Sequence, residues 1–299
     1  MLACIRFFVV KFRIFWNNEG EVKGMRKTVS EKEECLKLIR GSREATTEGL
    51  ENVIINGEDQ LVVYDENGLL GVAYYSMEDN GEEMIATLGV FVVPNNRRQG
   101  IGRTLFAEVE SRVKKRNPDF ICVYIEDEEL APFLKTKCYK HWWASPELVY
   151  KGGQLPERGL TFVPYNESYF DRYVELVQKA YIGLHKKNDI KPYLATEDIV
   201  RSYKLNRADR VYLVLDGEEM VASVTVGDGE VDNVMVEPGH QSKGLGRASL
   251  HFAINRMLDE GWSEIRICYV EGNEHAESLY RSVGFKPLNY TMVYRKFLT

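Results

Sequence analysis

VDNVMVEPGHQSKGLGR, residues 231–247, reads as an apolar strand, a stop at Pro238 and a glycine-rich turn that opens a helix. The turn consists of Gln241, Ser242, Lys243, Gly244, Leu245, Gly246 and Arg247. Gly244 and Gly246 remove side chains where an anion would approach the backbone, and the amides left over at a helix start point toward that anion. The stretch therefore outlines a cradle for a pyrophosphate. One glycine pattern is weak by itself, but this chain contains it twice.

The earlier copy runs from Ile85 to Val93, closes at Pro94 and continues through Arg97, Arg98, Gln99, Gly100, Ile101, Gly102 and Arg103. Gly100 and Gly244 differ by 144 positions, as do Pro94 and Pro238, Ile121 and Ile265, and Leu148 and Met292. A register held over four elements marks two copies of one unit. Each copy has a hairpin dipeptide before the cradle, Asn67–Gly68 and Asp216–Gly217. Each then has a helix with an apolar stripe, Leu105, Phe106, Val109 and Val113 in the first, and Leu250, Ile254, Met257 and Leu258 in the second. In the second half, Phe170, Tyr173, Val174 and Val177 mark a further helix, and a shorter one is expected near Glu197–Leu205. The expected division is 1–24 as a dispensable extension, 25–150 as the first domain, 151–158 as a linker with Gly152, Gly153 and Pro156, and 159–299 as the second domain. Ser30 and Glu33 form a capping box at the first helix.

The composition narrows the function. At 299 residues and 44% hydrophobic content the chain can build two cores. A net charge of −6 argues against nucleic acid as partner and favours a small or cationic acceptor. The five cysteines show no CxxC spacing, which points to neither a disulfide framework nor a zinc site, and a reducing cytoplasm is expected. His141, His185, His240, His251 and His275 have no ligand spacing, so no metal is expected. The apolar run Ala3–Trp16 is broken by Arg6, Lys11 and Arg13 and is too short to span a membrane. The run Leu184–Asn188, with His185, Lys186 and Lys187, reads as a solvated loop.

At this point the residues resemble the GCN5-related N-acetyltransferase (GNAT) family. Gln241, Gly244 and Gly246 match its core signature, and so do Arg97, Gly100 and Gly102. Val236 and Pro238, like Val92 and Pro94, match the end of the family's preceding strand. A second signature is met by Asn273, Ala276, Leu279, Tyr280, Gly284 and Phe285. The resemblance implies an α/β fold with a mixed, mostly antiparallel sheet flanked by helices, in two tandem acyl-CoA N-acyltransferase domains. Two central strands would splay to admit a pantetheine arm. It also implies acetyl-CoA as cosubstrate, bound by Val234, Met235, Val236, the loop from Gln241 to Arg247, and Asn273.

The resemblance further implies an acetyl transfer to a primary amine of a small molecule or peptide by direct attack in a ternary complex. Tyr280 would be the acid toward the departing thiolate. Eleven residues before Gln241 stands Glu230, where one branch of the family has its base, and Asp232 shares its strand face. A backbone amide near Met235 or Val236 would polarise the carbonyl. In the first copy, aligning Cys138 and Tyr139 with Gly284 and Phe285 places Leu134 at the Tyr280 position and Asp127 at the Asn273 position. Ala86 stands eleven residues before Arg97 and carries no acid. The first half is thus expected to be structural or cofactor-holding, with Arg97, Arg98, Gly100, Gly102 and Arg103 as a second cofactor site. Two other readings remain: an acyl-CoA-binding regulatory module without turnover, and acetylation of a small-molecule amine in a layout similar to the tandem mycothiol synthases. The acceptor, the acyl length of the donor and the oligomeric state are not encoded in these motifs.

Overall fold

The computed structural model describes residues 61–65 and 68–298, with Cys35, Lys37 and Leu38 in a helix ahead of them. The N-terminal extension, the capping box at Ser30 and Asn67 lie outside the described residues. Two compact units emerge. One holds the described residues up to His141 together with those from Val293 onward; the other holds Trp142–Met292.

In the first unit, β1 (Leu61–Asp65), β2 (Leu69–Asp79) and β3 (Met84–Val92) form an antiparallel meander. Helix α1 (Ile101–Lys115) buries Leu105, Phe106, Val109 and Val113, the stripe expected from their spacing. Its last turn carries Arg112, Lys114 and Lys115, which suit the negative end of the helix dipole. β4 (Phe120–Ile125) then runs parallel to β3, but only from Ile85 to Leu88. Helix α2 (Ala131–Thr136) follows.

The chain's last strand is clasped in this unit. Lys296 Nζ lies 3.1 Å from Glu110 Oε1, Tyr139 donates its hydroxyl to the same oxygen at 3.1 Å, and Lys114 Nζ lies 3.1 Å from Oε2. Burial alone would raise the Glu110 carboxyl, but the bonds and charges of Lys114 and Lys296 hold it below the usual carboxylate range.

The second unit takes most of β5 (Lys140–Tyr150), which pairs antiparallel with β10 (Ile265–Cys268) so that Glu147 stands opposite Cys268. The compact units change over at His141/Trp142, where the backbone ladder to β10 takes up β5, whereas the repeat register puts the passage from one copy to the next at 151–158. The final strand, β11 (Lys286–Phe297), is likewise divided at Met292/Val293.

Between these strands lie β6 (Val163–Pro164), α3 (Phe170–Asn188), β7 (Val211–Asp216), β8 (Glu219–Val226), β9 (Val231–Val236), α4 (Leu245–Asp259) and α5 (Glu274–Val283). The sheet order is β6-β7-β8-β9, all antiparallel. Leu250, Ala253, Ile254 and Met257 of α4 pack on Val224, Val226, Val231, Ile265 and Ile267, with Tyr280, Val283 and Phe285 closing the same core. Both units are thus mixed α/β, with mostly antiparallel strands and flanking helices. No helix among the described residues is long and apolar enough to cross a membrane.

One expected loop is helical instead. Leu184–Asn188 is the last turn of α3, which ends only where Asp189 turns left-handed at φ 50°. His185 is 1% exposed, with Nδ1 3.2 Å from the Pro192 carbonyl. Burial lowers its imidazole to about 4.

Two predictions follow from these contacts. The folded His185 refuses a proton that the unfolded chain accepts at its usual value of about 6.5, so stability is lost as the pH falls through the window between the two. Thermal melts of the second unit should lose on the order of 1–3 kcal/mol through this window, and His185→Gln should flatten that part of the profile. Lys296→Ala leaves the buried Glu110 with one cation fewer and should cost the first unit about 1–2 kcal/mol, read by calorimetry at neutral pH.

Candidate acetyl-transfer site

The cradle begins where β9 ends. A short 3-10 turn, Pro238–His240, is fixed by the Glu237 carboxylate, which accepts from the Gly239 amide at 2.6 Å. Gln241 is extended at φ −64°, Ser242 turns left-handed at φ 62°, and Gly244 follows at φ 85° as the residue before α4. No side chain caps this helix, and its first internal bond runs from the Ala248 amide to the Gly244 carbonyl at 3.0 Å. The amides of Leu245, Gly246 and Arg247 therefore point out of the helix start, and Gln241–Gly244 are exposed.

The two glycines serve different ends. A Cβ on Gly244 would meet nothing within 4 Å, so this glycine is needed for its backbone angle. One on Gly246 would stand 3.1 Å from Leu279 Cδ2 and 3.6 Å from Val236 Cγ2, so Gly246 lets α4 press onto β9 and α5. Arg247 does not face the cradle opening alone; its guanidinium donates to the carbonyl and hydroxyl of Ser282 at 3.3 and 2.6 Å. Lys243 is exposed at the turn.

The first unit reproduces the backbone of this loop. Arg97 is extended at φ −69°, Arg98 is left-handed at φ 64°, Gly100 stands at φ 88°, and α1 also starts without a side-chain cap. A Cβ on Gly102 would touch Val92 Cγ2 at 3.4 Å, echoing Gly246 and Val236. The side chains are engaged differently: Arg97 Nε donates to the Val92 carbonyl, and Arg98 pairs with Glu129. Arg103 sits in the first turn of α1.

The second signature also has counterparts in both units. Asn273 Oδ1 accepts from the Ala276 amide at 3.2 Å and caps α5, while Asp127 Oδ1 accepts from the Glu129 amide at 2.9 Å. The amides of Phe285 and Tyr139 close onto the carbonyls of Tyr280 and Leu134 at 3.2 and 3.1 Å. Gly284 and Cys138 both have positive φ, at 112° and 65°. Tyr280 and Leu134 are therefore true structural equivalents, and both are buried. The Tyr280 ring lies 6.1 Å from those of Tyr269 and Phe285.

Where β9 should continue beside β10, the two meet in one parallel bridge, Glu230 with Arg266, and the Arg266 amide donates to the Gly229 carbonyl at 2.9 Å. Beyond it the strands belong to separate ladders. The resemblance implies a splay of this kind, and Val234, Met235 and Val236 are the β9 residues beyond the bridge, paired with β8 on their other side.

Val231 faces α4 in the core, so Glu230 and Asp232 project from the opposite, α3-facing side of the sheet. Glu230 is 7% exposed and its Oε1 lies 3.9 Å from the Cys268 sulfur. Glu147 stands beside Cys268 across the ladder, with Oε1 3.9 Å from an Arg266 nitrogen. The acid-rich turn before β9 divides: Asp228 is exposed and held below its usual range by the bond from Arg207, whereas Glu230 is buried. Tyr280 belongs to the α4-side core and Glu230 to the other face, so the gap between β9 and β10 separates them.

Several polar residues at this face carried no local signal. Glu147 comes from the first half of the sequence, and Lys204 and Tyr181 reach Asn233 from segments distant in the chain. The pair Asp232–Asn233 inside an apolar strand was the legible trace, because two consecutive polar residues break the period of two. His240 lies 3.2 and 3.9 Å from Glu237 and Glu219, a grouping of ligand-type side chains that spacing in the sequence did not show.

The comparisons fit this geometry. Residues 166–285 match the profile described as acetyltransferase (GNAT) family, and residues 30–144 match one described as acetyltransferase (GNAT) domain. A mycothiol acetyltransferase of Kocuria rhizophila is 39% identical over 67 residues, which is 22% of each protein. Among solved structures, a GCN5-related N-acetyltransferase from Sphaerobacter thermophilus superposes with TM-score 0.68 at 15% identity, covering 88% of this chain and 90% of that one. A tandem GNAT protein from the clavulanic acid biosynthesis pathway gives TM-score 0.63 at 14% identity, covering 90% and 94%. With both halves matched and the two cradles superimposable in their backbone angles, the chain belongs to the GNAT acetyltransferase family and carries two of its domains in tandem.

Proposed function

We propose that the second unit transfers an acetyl group from acetyl-CoA to a primary amine by direct attack in a ternary complex. The observation that carries this is the conjunction, in one unit, of an uncapped left-handed cradle, a strand gap bridged only at Glu230 and Arg266, and a tyrosine at the α5 position. The amides from Ser242 to Arg247 would hold the pyrophosphate, and the β9 edge at Val234–Val236 would pair with the pantetheine amides. When bound, the thioester supplies the activated acyl carbon and a thiolate leaving group. Glu230, directly or through water, takes the proton of the attacking amine, and Tyr280 gives its phenolic proton to the sulfur as the carbon–sulfur bond breaks. A backbone amide near Met235 or Val236 stabilises the oxygen that becomes negative. Asn273 acts by capping α5 and so holds Tyr280 in place.

The first unit, on this reading, does not catalyse. Leu134 has no proton to give and Ala86 no lone pair to receive one, although the cradle backbone at Arg98 and Gly100 is suited to a second acetyl-CoA. The acids Glu230, Asp232 and Glu147 on the α3-facing side favour a cationic acceptor, and the stretch similar to mycothiol acetyltransferase favours a small-molecule amine over a peptide.

Thiol release from acetyl-CoA with a panel of primary amines tests the assignment. Tyr280→Phe should lower kcat about 10- to 100-fold with little change in KM for acetyl-CoA, and an unchanged rate, together with loss of activity on changes in the first unit, would reverse the roles of the two units. Gly244→Val forces a β-branched residue to φ near 85° and should weaken acetyl-CoA binding at least about tenfold in calorimetry. Binding without thiol release for any amine would instead support a regulatory module.

A further inference from the structure

Asn233 adopts φ 49° in the middle of β9. Asp232 pairs with Thr225 and Met235 with Ser223, so Asn233 and Val234 together oppose the single residue Val224. That is a bulge, and it resets the alternation of the strand. Without it Asn233 would turn into the apolar core on α4 and Val234 away from it. With it, Asp232 and Asn233 both project toward α3, and Val234 returns to the core.

A left-handed conformation is costly for any residue with a Cβ, even for asparagine, and persists where the surroundings hold it. Here the holder is Lys204, 2% exposed, whose ammonium lies 2.6 Å from Asn233 Oδ1 and 4.1 Å from the centre of the Tyr181 ring. The Tyr181 hydroxyl reaches the same oxygen at 3.4 Å, and Asn233 Nδ2 reaches Thr225 Oγ1 at 3.5 Å. Lys204 ends a π-helical turn, Val200–Lys204, a wider winding than α that recurs where a side chain must be aimed. Burying an ammonium is expensive, and these contacts are of the kind that offset it.

We propose that Lys204 is a positioning residue for acetyl transfer. Its ammonium clamps Asn233 in the left-handed bulge, and the bulge fixes which backbone groups of Val234–Val236 face the gap to β10. The proposal rests on the reading of the second unit as the catalytic one.

The test compares Lys204→Met, Asn233→Gly and the double variant in thiol release from acetyl-CoA, with spermidine, kanamycin and a lysine-bearing peptide as acceptors. Lys204→Met should lower kcat at least about tenfold while KM for acetyl-CoA moves less than about threefold, because the cradle is untouched. Glycine takes positive φ without a clamp, so the double variant should work within about threefold of Asn233→Gly alone. A wild-type rate in Lys204→Met, or a tenfold gap between the double variant and Asn233→Gly, would overturn the proposal. Should Lys204→Met fail to fold in thermal melts, the second comparison decides alone. Silence of the unmodified protein toward all three amines would remove the catalytic reading and this proposal with it, whereas an active parent with an equally active Lys204→Met removes the proposal only.

Discussion

The site depends on two parallel strands that touch once and then part. A sheet normally satisfies its backbone by continuous ladders, so a gap inside one needs support from elsewhere. α4 supplies it on one face by driving Leu250, Ile254 and Met257 into the core beside Val231 and Ile265. On the other face the support is polar, with Asn233 held from α3 and from the π-helical turn. The gap is stable because each strand is anchored on its far side, β9 by β8 and β10 by β5.

The two units share a backbone device and differ in the chemistry attached to it. Matching left-handed angles at Arg98 and Ser242, and at Gly100 and Gly244, give both loops the same anion-facing amides. Backbone shape survives as long as the glycines and the helix start survive. The reactive side chains differ: the first unit has Leu134 and Ala86 at the positions that Tyr280 and Glu230 hold in the second, while its loop keeps the same backbone.

These features account for what could be read from the sequence. The cradle was legible because positive φ and close helix packing both select glycine, and a spacing of 144 repeated the signal. Asn273 was read as a cofactor contact and Asp127 as the residue in its place, whereas both accept from an amide of the helical turn that follows them. The end of α3 was misjudged because the run His185, Lys186 and Lys187 reads as solvated, whereas His185 is buried on the helix and the stop comes only at a left-handed Asp189. Lys204, Glu147 and the boundary at Trp142 were not legible at all. Each is defined by a partner dozens of residues away, and nothing in its own neighbourhood distinguishes it from a surface charge or a loop.

The division of β5 and β11 between the units has a consequence for biosynthesis. Residues 142–150 serve the later unit, and residues from Val293 onward serve the earlier one. In order of synthesis, the strand segment from Val293 onward that belongs to the earlier unit is made only after residues 142–292 of the later one.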